Sequence, residues 1–173
     1  GSMRSAGAMG DIGCFSFFPS KNMAVGGEGG MLTTTQSKYE DKIFGITDHG
    51  RSPDLEAIQL GSNLRMSEVS ASIGLVQLSN LDTWVELRRQ KAELYTRALV
   101  GHKTLNPPAI RPNTQHAWHQ YCVQTSNPDS LVAHFDSLGI DPRRYYPIPS
   151  HQQHVYKDHP QYTERLENTA IAA

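Results

Sequence analysis

The sequence predicts an α/β chain, and three observations support this class. Two short apolar runs, residues 12–18 and 31–35, have the pattern of strands and flank the glycine-rich stretch "GGEGG". A helical pattern then extends through residues 67–99. After the proline-rich connector "NPPAIRPNTQ", a strand, helix, strand order predicts a small α+β lobe.

The first elements are predicted to form a hairpin-like unit. The run "IGCFSFF" is bounded by glycine and proline, which favours a buried strand, and "MLTTT" favours a second one. The glycines between the two runs can take backbone angles that side chains forbid, so a tight connection is expected. Residues 36–48 have a helical pattern. Residues 49–65 form a long irregular loop, of the kind that often carries function.

Two long helices are predicted next. Ser67 followed by glutamate opens a helix that runs to about Asn80, and Asp82 is predicted to cap a second helix that extends through Leu99. The second helix has an apolar stripe at helical spacing, formed by Trp84, Leu87, Leu94, Ala98 and Leu99.

The last lobe is predicted from its capping residues. A strand is expected at residues 118–125, then a helix that Asn127 caps, with Pro128 in its first turn and Gly139 at its end. Another strand is expected around residues 143–146.

The overall composition points to a small ligand. The chain has 173 residues, a formal net charge of −1 and a sequence pI near 6.8. That balance gives no electrostatic reason to expect a nucleic acid or an anionic membrane as partner. No apolar stretch is long enough to span a bilayer. Cys14 and Cys122 each lie in an apolar run, so two buried free thiols and a cytoplasmic location are expected.

Lys21 is the residue that most strongly indicates chemistry. It follows "SFFPS", where proline and aromatic residues hold the chain stiffly, and an amine in that position suits Schiff-base formation with a carbonyl. Ser16, Ser20 and the glycines offer hydroxyl and backbone N–H groups to a phosphate, so pyridoxal phosphate is indicated. A surface lysine that merely follows a strand is the alternative, and a generic phosphate-binding module is another. "GGEGG" lacks the Lys-Ser or Lys-Thr of a P-loop.

Five motifs in order carry a resemblance to a known family. These are "GDIGCFSFFPSKNMAVGGEGGMLTT", "DHGR", "GSNLRMSEVSASIGLVQLSNLDTWVELRRQKAELY", "HAWHQYCVQT" and "RRYYPIPSHQQHVY". The chain resembles the DegT/DnrJ/EryC1/StrS family of sugar aminotransferases over nearly its whole length. The resemblance implies a pyridoxal-phosphate enzyme of fold type I, which transfers an amino group, usually from glutamate, onto a nucleotide-linked keto-sugar.

The resemblance also implies roles for single residues. Lys21 matches the lysine that forms the internal aldimine and later moves a proton as general acid and base. Ser16 matches the serine that binds the cofactor phosphate. Asn63 matches an asparagine that reaches the phosphate of a neighbouring subunit, although from sequence alone a turn residue is the alternative. Relatives that use pyridoxamine phosphate for dehydration replace the lysine by histidine, and Lys21 argues against that group.

Other residues are further candidates for binding or metal coordination. Arg143, Tyr145 and His151 are candidate substrate-binding residues, with an exposed cation, a half-buried ring and a structural loop histidine as the alternatives. His116 and His119 have the spacing of a metal pair. No aspartate or glutamate lies near them in the sequence to complete a ligand set, so no metal is expected.

The resemblance implies that the chain is partial. It would lack the N-terminal half, with the aspartate that pairs with the pyridinium nitrogen, and the extreme C-terminus. The predicted division is an expression scar and start at residues 1–3, a remnant of the large cofactor-binding domain at 4–65, long connecting helices at 66–105 and a partial small α+β domain at 106–173. Such a chain is expected to be inactive alone. It would form a homo-oligomer, a dimer or higher, or join a separately encoded N-terminal portion. A non-catalytic assembly fragment is the alternative.

Overall fold

The structure is a computed structural model that describes residues 4–156 and 166–172. The predicted expression scar at residues 1–3 lies outside the described residues. The chain forms two compact units. The first runs through Leu94 and includes Ile110–Gln120, and the second comprises Tyr95–Ala109 and the chain from Tyr121 onward. The long helix Leu81–Leu99 contributes residues to both units.

The first unit begins with an antiparallel pair of short strands. Strand β1, Gly13–Ser16, pairs with β2, Gly30–Thr33, so that Gly13 lies opposite Thr33 and Ser16 opposite Gly30. The predicted hairpin-like unit is therefore confirmed, although both strands are shorter than expected.

The prediction that the first strand is buried was wrong. Only its first residue, Gly13, is buried, and Phe15 is 38% exposed. Cys14 and Cys122 are free, as expected, but both are exposed rather than buried. For β1 and Cys14 the physical reason is that the described sheet has two strands only, so no third strand covers its residues. Cys122 lies outside this sheet, in a segment without regular secondary structure.

A helix and a long irregular loop follow the hairpin. After a short 3-10 turn, helix α1 spans Glu40–Thr47. The predicted irregular loop is confirmed and is closed by isolated backbone pairing, Asp48 with Asn63 and Arg51 with Ala57. Backbone N–H groups of the returning chain also donate to carbonyls at the end of α1. The loop therefore has a defined conformation.

The two long helices begin close to the predicted residues. Helix α2 spans Glu68–Leu78, and the Ser67 hydroxyl accepts the Ser70 N–H at 3.1 Å, which confirms the predicted cap. Helix α3 spans Leu81–Leu99. Asp82 was wrongly predicted as its cap. It lies inside the first turn, where its carboxylate interacts favourably with the positive end of the helix dipole.

The buried core of the first unit is small. Phe17, Val25, Ala92 and Trp118 are the buried apolar residues of the described chain. Val25 lies against α2, where a Cβ built on Gly74 would be 3.2 Å from a Val25 methyl group. The glycine therefore allows the lysine-bearing loop to approach this helix closely.

The predicted apolar stripe of α3 is only partly correct. Leu87 and Leu94 are 49% and 65% exposed, whereas Ala92 is buried. The side of α3 that carries Arg88 and Ala92 is the less exposed one, because Arg88 makes hydrogen bonds to the chain around Trp118.

The second unit contains the predicted capped helix. Helix α4 spans Pro128–Ser137, the Asn127 side chain accepts the Ser130 N–H at 3.2 Å, and Gly139 has a φ of +72° just beyond the helix. Helix α5, Glu167–Ala172, ends the described chain. Among the described residues, no helix has the length and apolar character needed to cross a bilayer.

The two strands predicted in the last lobe were wrong. Residues 118–125 contain a single bridging residue, Gln124, which pairs with Asn106, and Trp118 has a φ of +50°, which breaks an extended conformation. Residues 143–146 form no strand either. A strand needs a hydrogen-bonded neighbour, and the described part of this unit supplies only that one bridge.

Candidate functional site

The turn after β1 holds Lys21 in place through its backbone. The Lys21 N–H donates to the Phe18 carbonyl at 2.8 Å, and the Phe17 N–H donates to the Gly29 carbonyl at 2.8 Å. Phe17 is buried, so the chain is anchored immediately before the turn. The Lys21 residue itself is half-buried. The amine is therefore carried by a fixed segment and remains partly accessible.

Ser16 ends β1, close to the lysine turn in the chain. The residue is exposed, and its hydroxyl oxygen accepts the Phe18 N–H at 3.4 Å. Because the oxygen is the acceptor in that contact, the hydroxyl proton is left to donate to another group. One short loop thus presents an amine and a hydroxyl donor.

A distant segment packs against the lysine turn. The Asn22 side-chain amide donates to the Ala117 carbonyl at 2.7 Å, although the two residues are 95 positions apart. On the other side, Arg88 of α3 donates to the carbonyls of Trp118 and His119 at 3.2 and 3.4 Å. Residues 117–119 are therefore tied to both the lysine turn and α3.

This packing places His119 within electrostatic reach of Lys21. Desolvation lowers the pKa of His119 below its usual value of 6.5, and the positive charges of Lys21 and Arg88 lower it further. The imidazole of His119 is therefore neutral at neutral pH.

Two buried polar atoms beside the lysine turn have no hydrogen-bond partner. They are Oδ1 of Asn22 and Nδ1 of His119. Buried polar atoms are nearly always paired in folded proteins, so such atoms mark positions where a further group or a rearrangement supplies the missing contact. Their presence next to an amine is consistent with a site for a polar ligand.

Asn63 lies elsewhere in the first unit. It is exposed, pairs through its backbone with Asp48, and lines an open cavity of about 1280 Å³. The Asp48 carboxylate also forms an ion pair with Arg65. The walls of the cavity come from β1, β2 and α1, and neither Ser16 nor Lys21 lines it. The structure therefore does not bring Asn63 together with the lysine turn.

The three candidate substrate-binding residues belong to the second unit. Arg143 donates to Asp141 at 3.1 Å and is exposed, and this hydrogen bond raises the pKa of Arg143 above its usual value. The ring of Tyr145 meets the ring of Tyr146 edge-on, with the centroids 4.9 Å apart. His151 is half-buried in a 3-10 turn. The structure gives these residues no contact that identifies a substrate.

The histidine pair considered from the sequence has a different arrangement. The Nδ1 atom of His116 accepts the Trp118 N–H at 2.9 Å, which occupies that atom within its own segment. The described residues contain no group of three histidine, cysteine, aspartate or glutamate side chains placed to hold a metal ion.

Asn22 and His119 were not identified as site residues from the sequence. Asn22 has no distinguishing pattern beyond its position after Lys21, and His119 was considered only as a partner of His116. Their proximity depends on a contact between segments that are far apart in the chain. No spacing rule detects such a contact.

Comparison with known proteins identifies the family. The family model described as the DegT/DnrJ/EryC1/StrS aminotransferase family matches residues 2–173. The chain belongs to the DegT/DnrJ/EryC1/StrS aminotransferase family. The resemblance seen in the sequence motifs is thereby confirmed.

Two curated relatives show what members of the family do. The chain is 37% identical over 153 residues to a UDP-N-acetyl-3-dehydro-alpha-D-glucosamine 3-aminotransferase of Acidithiobacillus ferrooxidans. It is 31% identical over 153 residues to a dTDP-3-amino-3,4,6-trideoxy-alpha-D-glucose transaminase of Streptomyces venezuelae. Each alignment covers 88% of this chain, but 41% of the first relative and 40% of the second. The chain therefore spans about two fifths of the length of these family members.

Solved structures confirm the fold class. DesV of S. venezuelae, crystallised in complex with a ketimine intermediate, superposes with a TM-score of 0.84 at 31% identity, over 88% of this chain and 41% of DesV. A DegT/DnrJ/EryC1/StrS aminotransferase from Brucella abortus gives a TM-score of 0.81 at 29% identity, over 86% and 40% of the two chains. The described chain is thus part of the α/β fold of the fold type I aminotransferases.

Proposed function

We propose that this chain is the lysine-bearing portion of a pyridoxal-phosphate-dependent aminotransferase that acts on nucleotide-linked keto-sugars, with glutamate as the amino donor. The observation that carries the proposal is the position of Lys21 in a member of this aminotransferase family. Its turn is fixed by two backbone hydrogen bonds, and a free hydroxyl donor precedes it. The names of the two curated relatives, which specify UDP- and dTDP-linked sugars, support the substrate class.

The residues of the lysine turn fit this cofactor. Bound pyridoxal phosphate supplies an aldehyde and a conjugated ring that accepts an electron pair from the substrate carbon. The Ser16 hydroxyl, whose proton is not used within the turn, would donate to the phosphate. The Lys21 amine would hold the cofactor covalently and, once released, would take a proton at Nζ from the substrate carbon and return it elsewhere. Asn22 and His119 contribute buried polar atoms beside it.

The remaining site residues enter this proposal in separate roles. Asn63 would contact the cofactor phosphate of a neighbouring subunit, and its position in the wall of a cavity that neither Ser16 nor Lys21 lines supports a role in a second site. Arg143, Tyr145 and His151 would face the substrate. Arg143 could then exchange its exposed partner Asp141 for a diphosphate, since guanidinium geometry matches phosphate oxygens well.

An oligomer, a dimer or higher, is part of this proposal. Helix α2 exposes large apolar side chains on several sides, with Val69 at 72%, Leu75 at 70% and Val76 at 67% exposed. Several large apolar side chains exposed on one helix are typical of an interaction surface. We expect sedimentation velocity to show association that persists on dilution, and a folded monomer at all concentrations would contradict this part of the proposal.

The proposed activity belongs to the whole enzyme, in the cytoplasm. Because the chain spans about two fifths of its relatives, it is expected to be inactive in transamination by itself. The cytoplasmic location is supported by Cys14 and Cys122, which form no disulfide. A role in assembly alone is the second hypothesis from the sequence, and the relatives do not favour it.

A Ser16→Ala variant tests the proposed cofactor. The variant is expected to bind pyridoxal phosphate about tenfold more weakly, because one hydrogen bond from a neutral donor to a charged phosphate contributes about 1.5 kcal/mol. Binding is followed by the absorbance of the covalent adduct during titration. Pyridoxal, which lacks the phosphate, is the matched control ligand and should bind equally to both proteins.

Two results would contradict the proposal. One is the absence of any adduct absorbance in the wild-type chain at saturating pyridoxal phosphate. The other is an equal loss of affinity for pyridoxal and for pyridoxal phosphate in Ser16→Ala, since that would assign the serine to the turn and not to the phosphate.

A further inference from the structure

The segment that follows Lys21 packs against one face of helix α2. Gly74 and Gln77 share that face, because residues three positions apart lie on the same side of a helix. A Cβ built on Gly74 would be 3.2 Å from a Val25 methyl group and 3.8 Å from the Met23 Cε atom, and Val25 is fully buried. The chain after the lysine therefore lies close to α2.

Gln77 holds the same segment by a hydrogen bond. The Ala24 N–H donates to Oε1 of Gln77 at 3.2 Å in a partly buried contact, although the two residues are 53 positions apart. Because a backbone N–H only donates, the Gln77 atom in this contact is the amide oxygen. Ala24 lies outside the helices and strands, so a side chain of α2 takes the place that a neighbouring strand has in a sheet.

Asn22 ties the segment to a different part of the first unit. Its side-chain N–H donates to the Ala117 carbonyl at 2.7 Å, so this amide acts as a donor. The carbonyls of the next two residues accept hydrogen bonds from Arg88 of α3 at 3.2 and 3.4 Å. Within three positions after Lys21, the chain therefore has one tie to α2 and one to a stretch that α3 holds.

These ties restrict a chain that is otherwise flexible by composition. The stretch "GGEGG" follows directly, and glycine loses more backbone freedom on folding than any other residue. An amine that adds to a carbonyl must lie about 3–3.5 Å from it in a suitable orientation. Because the Lys21 side chain starts from this backbone, a shift of the backbone displaces the amine.

We propose that Asn22 and Gln77 are positioning residues for Lys21. Each amide fixes the backbone just after residue 21, and the amine takes its position from that backbone. The inference rests on the proposed function, because it concerns the addition of the Lys21 amine to the aldehyde of pyridoxal phosphate. In that step a carbon–nitrogen double bond forms and one water molecule is lost.

One chemical change distinguishes the two amides. Replacing an amide by a carboxylate of the same shape keeps the acceptor and removes the donor. Gln77→Glu should therefore keep the hydrogen bond from the Ala24 N–H, whereas Asn22→Asp should lose the hydrogen bond to the Ala117 carbonyl. Gln77→Met, of similar length but with only a weakly accepting sulfur, should lose the bond that Gln77→Glu keeps.

The measurement is the rate of adduct formation at increasing concentrations of pyridoxal phosphate, followed by absorbance. The plateau rate constant reports the covalent step, and the half-saturating concentration reports the encounter that precedes it. Asn22→Asp and Gln77→Met should lower the plateau about ten- to a hundredfold, because misplacing a reacting group by about 1 Å costs about a hundredfold. Their half-saturating concentrations should stay close to that of the wild type, and Gln77→Glu should keep the wild-type plateau.

Gln90→Met is the matched control. Gln90 is an exposed glutamine of α3 whose amide donates to Glu86 on the same helix, so the same substitution there should change neither kinetic value. Denaturant titration establishes that each variant is folded under the conditions of the assay. A merely structural role for the two amides would lower the free energy of unfolding and leave the plateau of the folded chain unchanged.

Amide hydrogen exchange tests the two ties without any cofactor. In ¹H–¹⁵N spectra the Ala24 N–H should exchange faster in Gln77→Met than in the wild type and slowly again in Gln77→Glu. The Lys21 N–H, which donates to the Phe18 carbonyl, should exchange faster in both Gln77→Met and Asn22→Asp.

The outcomes separate this inference from the proposed function. The inference is overturned if Gln77→Glu and Gln77→Met reach the same plateau, or if Asn22→Asp forms the adduct as fast as the wild type. If no adduct forms even in the wild type, the proposed function fails and the exchange rates decide. Faster exchange at Lys21 in the two variants then supports the positioning role, and unchanged exchange overturns it.

Discussion

Replacing Lys21 with alanine is expected to abolish covalent attachment of pyridoxal phosphate while leaving the fold intact. The backbone N–H of residue 21 donates to the Phe18 carbonyl, and alanine keeps that hydrogen bond. Residue 21 is half-buried, and its hydrogen bond within the turn comes from the backbone and not from the lysine side chain. The measurement is the intact mass of the protein after incubation with the cofactor and reduction with borohydride.

A matched variant makes this result specific. Lys38→Ala removes a lysine that is exposed and lies over the ring of Tyr39, with Nζ 4.7 Å from the ring centroid. It should retain the full added mass. If Lys21→Ala still gains the mass of one cofactor per chain, another amine is the attachment site and the role of Lys21 is wrong.

The second large effect is expected for Gly50→Ala. Gly50 is buried, has a φ of +75° and makes three backbone hydrogen bonds, from its N–H to Gly45 and to its carbonyl from Ile58 and Gln59. A Cβ at this position would overlap the Gln59 carbonyl oxygen. Because that atom belongs to the backbone of the loop that leads to Asn63, it cannot move aside without breaking the hydrogen bonds.

The expected loss of stability is large for one methyl group. A left-handed φ costs alanine about 1–2 kcal/mol, and overpacking adds about 1–3 kcal/mol, so Gly50→Ala should lower the free energy of unfolding by about 2–5 kcal/mol. Gly101→Ala is the control, because Gly101 has a φ of +74° but open space around it. It should lose only about 1–2 kcal/mol in the same denaturant titration. Equal losses in the two variants would mean that backbone strain, and not the Gln59 contact, determines the effect.

Features of this chain that depend on neighbouring residues could be predicted from the sequence, whereas features that depend on distant residues could not. The caps at Ser67 and Asn127 were predicted correctly, because a cap depends on a side chain and an N–H three residues later. The strands expected at residues 118–125 and 143–146 did not form, because a strand depends on a partner that the sequence pattern does not specify. The helix caps were therefore predicted more reliably than the strands.

The same distinction applies to the candidate site. Lys21 and Ser16 lie within one short stretch, so their chemistry could be inferred from neighbouring residues. The position of His119 depends on the contact between Asn22 and Ala117, which are 95 residues apart. Burial was also mispredicted, since Cys14 lies in an apolar run yet is exposed in a sheet of two strands. The apolar character of a segment favours burial, but the elements packed around it determine whether its residues are buried.

The central claim is that Lys21 is the cofactor-binding amine, and peptide mapping tests it most directly. The wild-type chain is incubated with pyridoxal phosphate at low excess, reduced with borohydride and digested, and the added mass is located by mass spectrometry. The account predicts a modified Lys21, with little or no label on the other five lysines, Lys38, Lys42, Lys91, Lys103 and Lys157. Label spread evenly over all of them, or absent from Lys21, would contradict it.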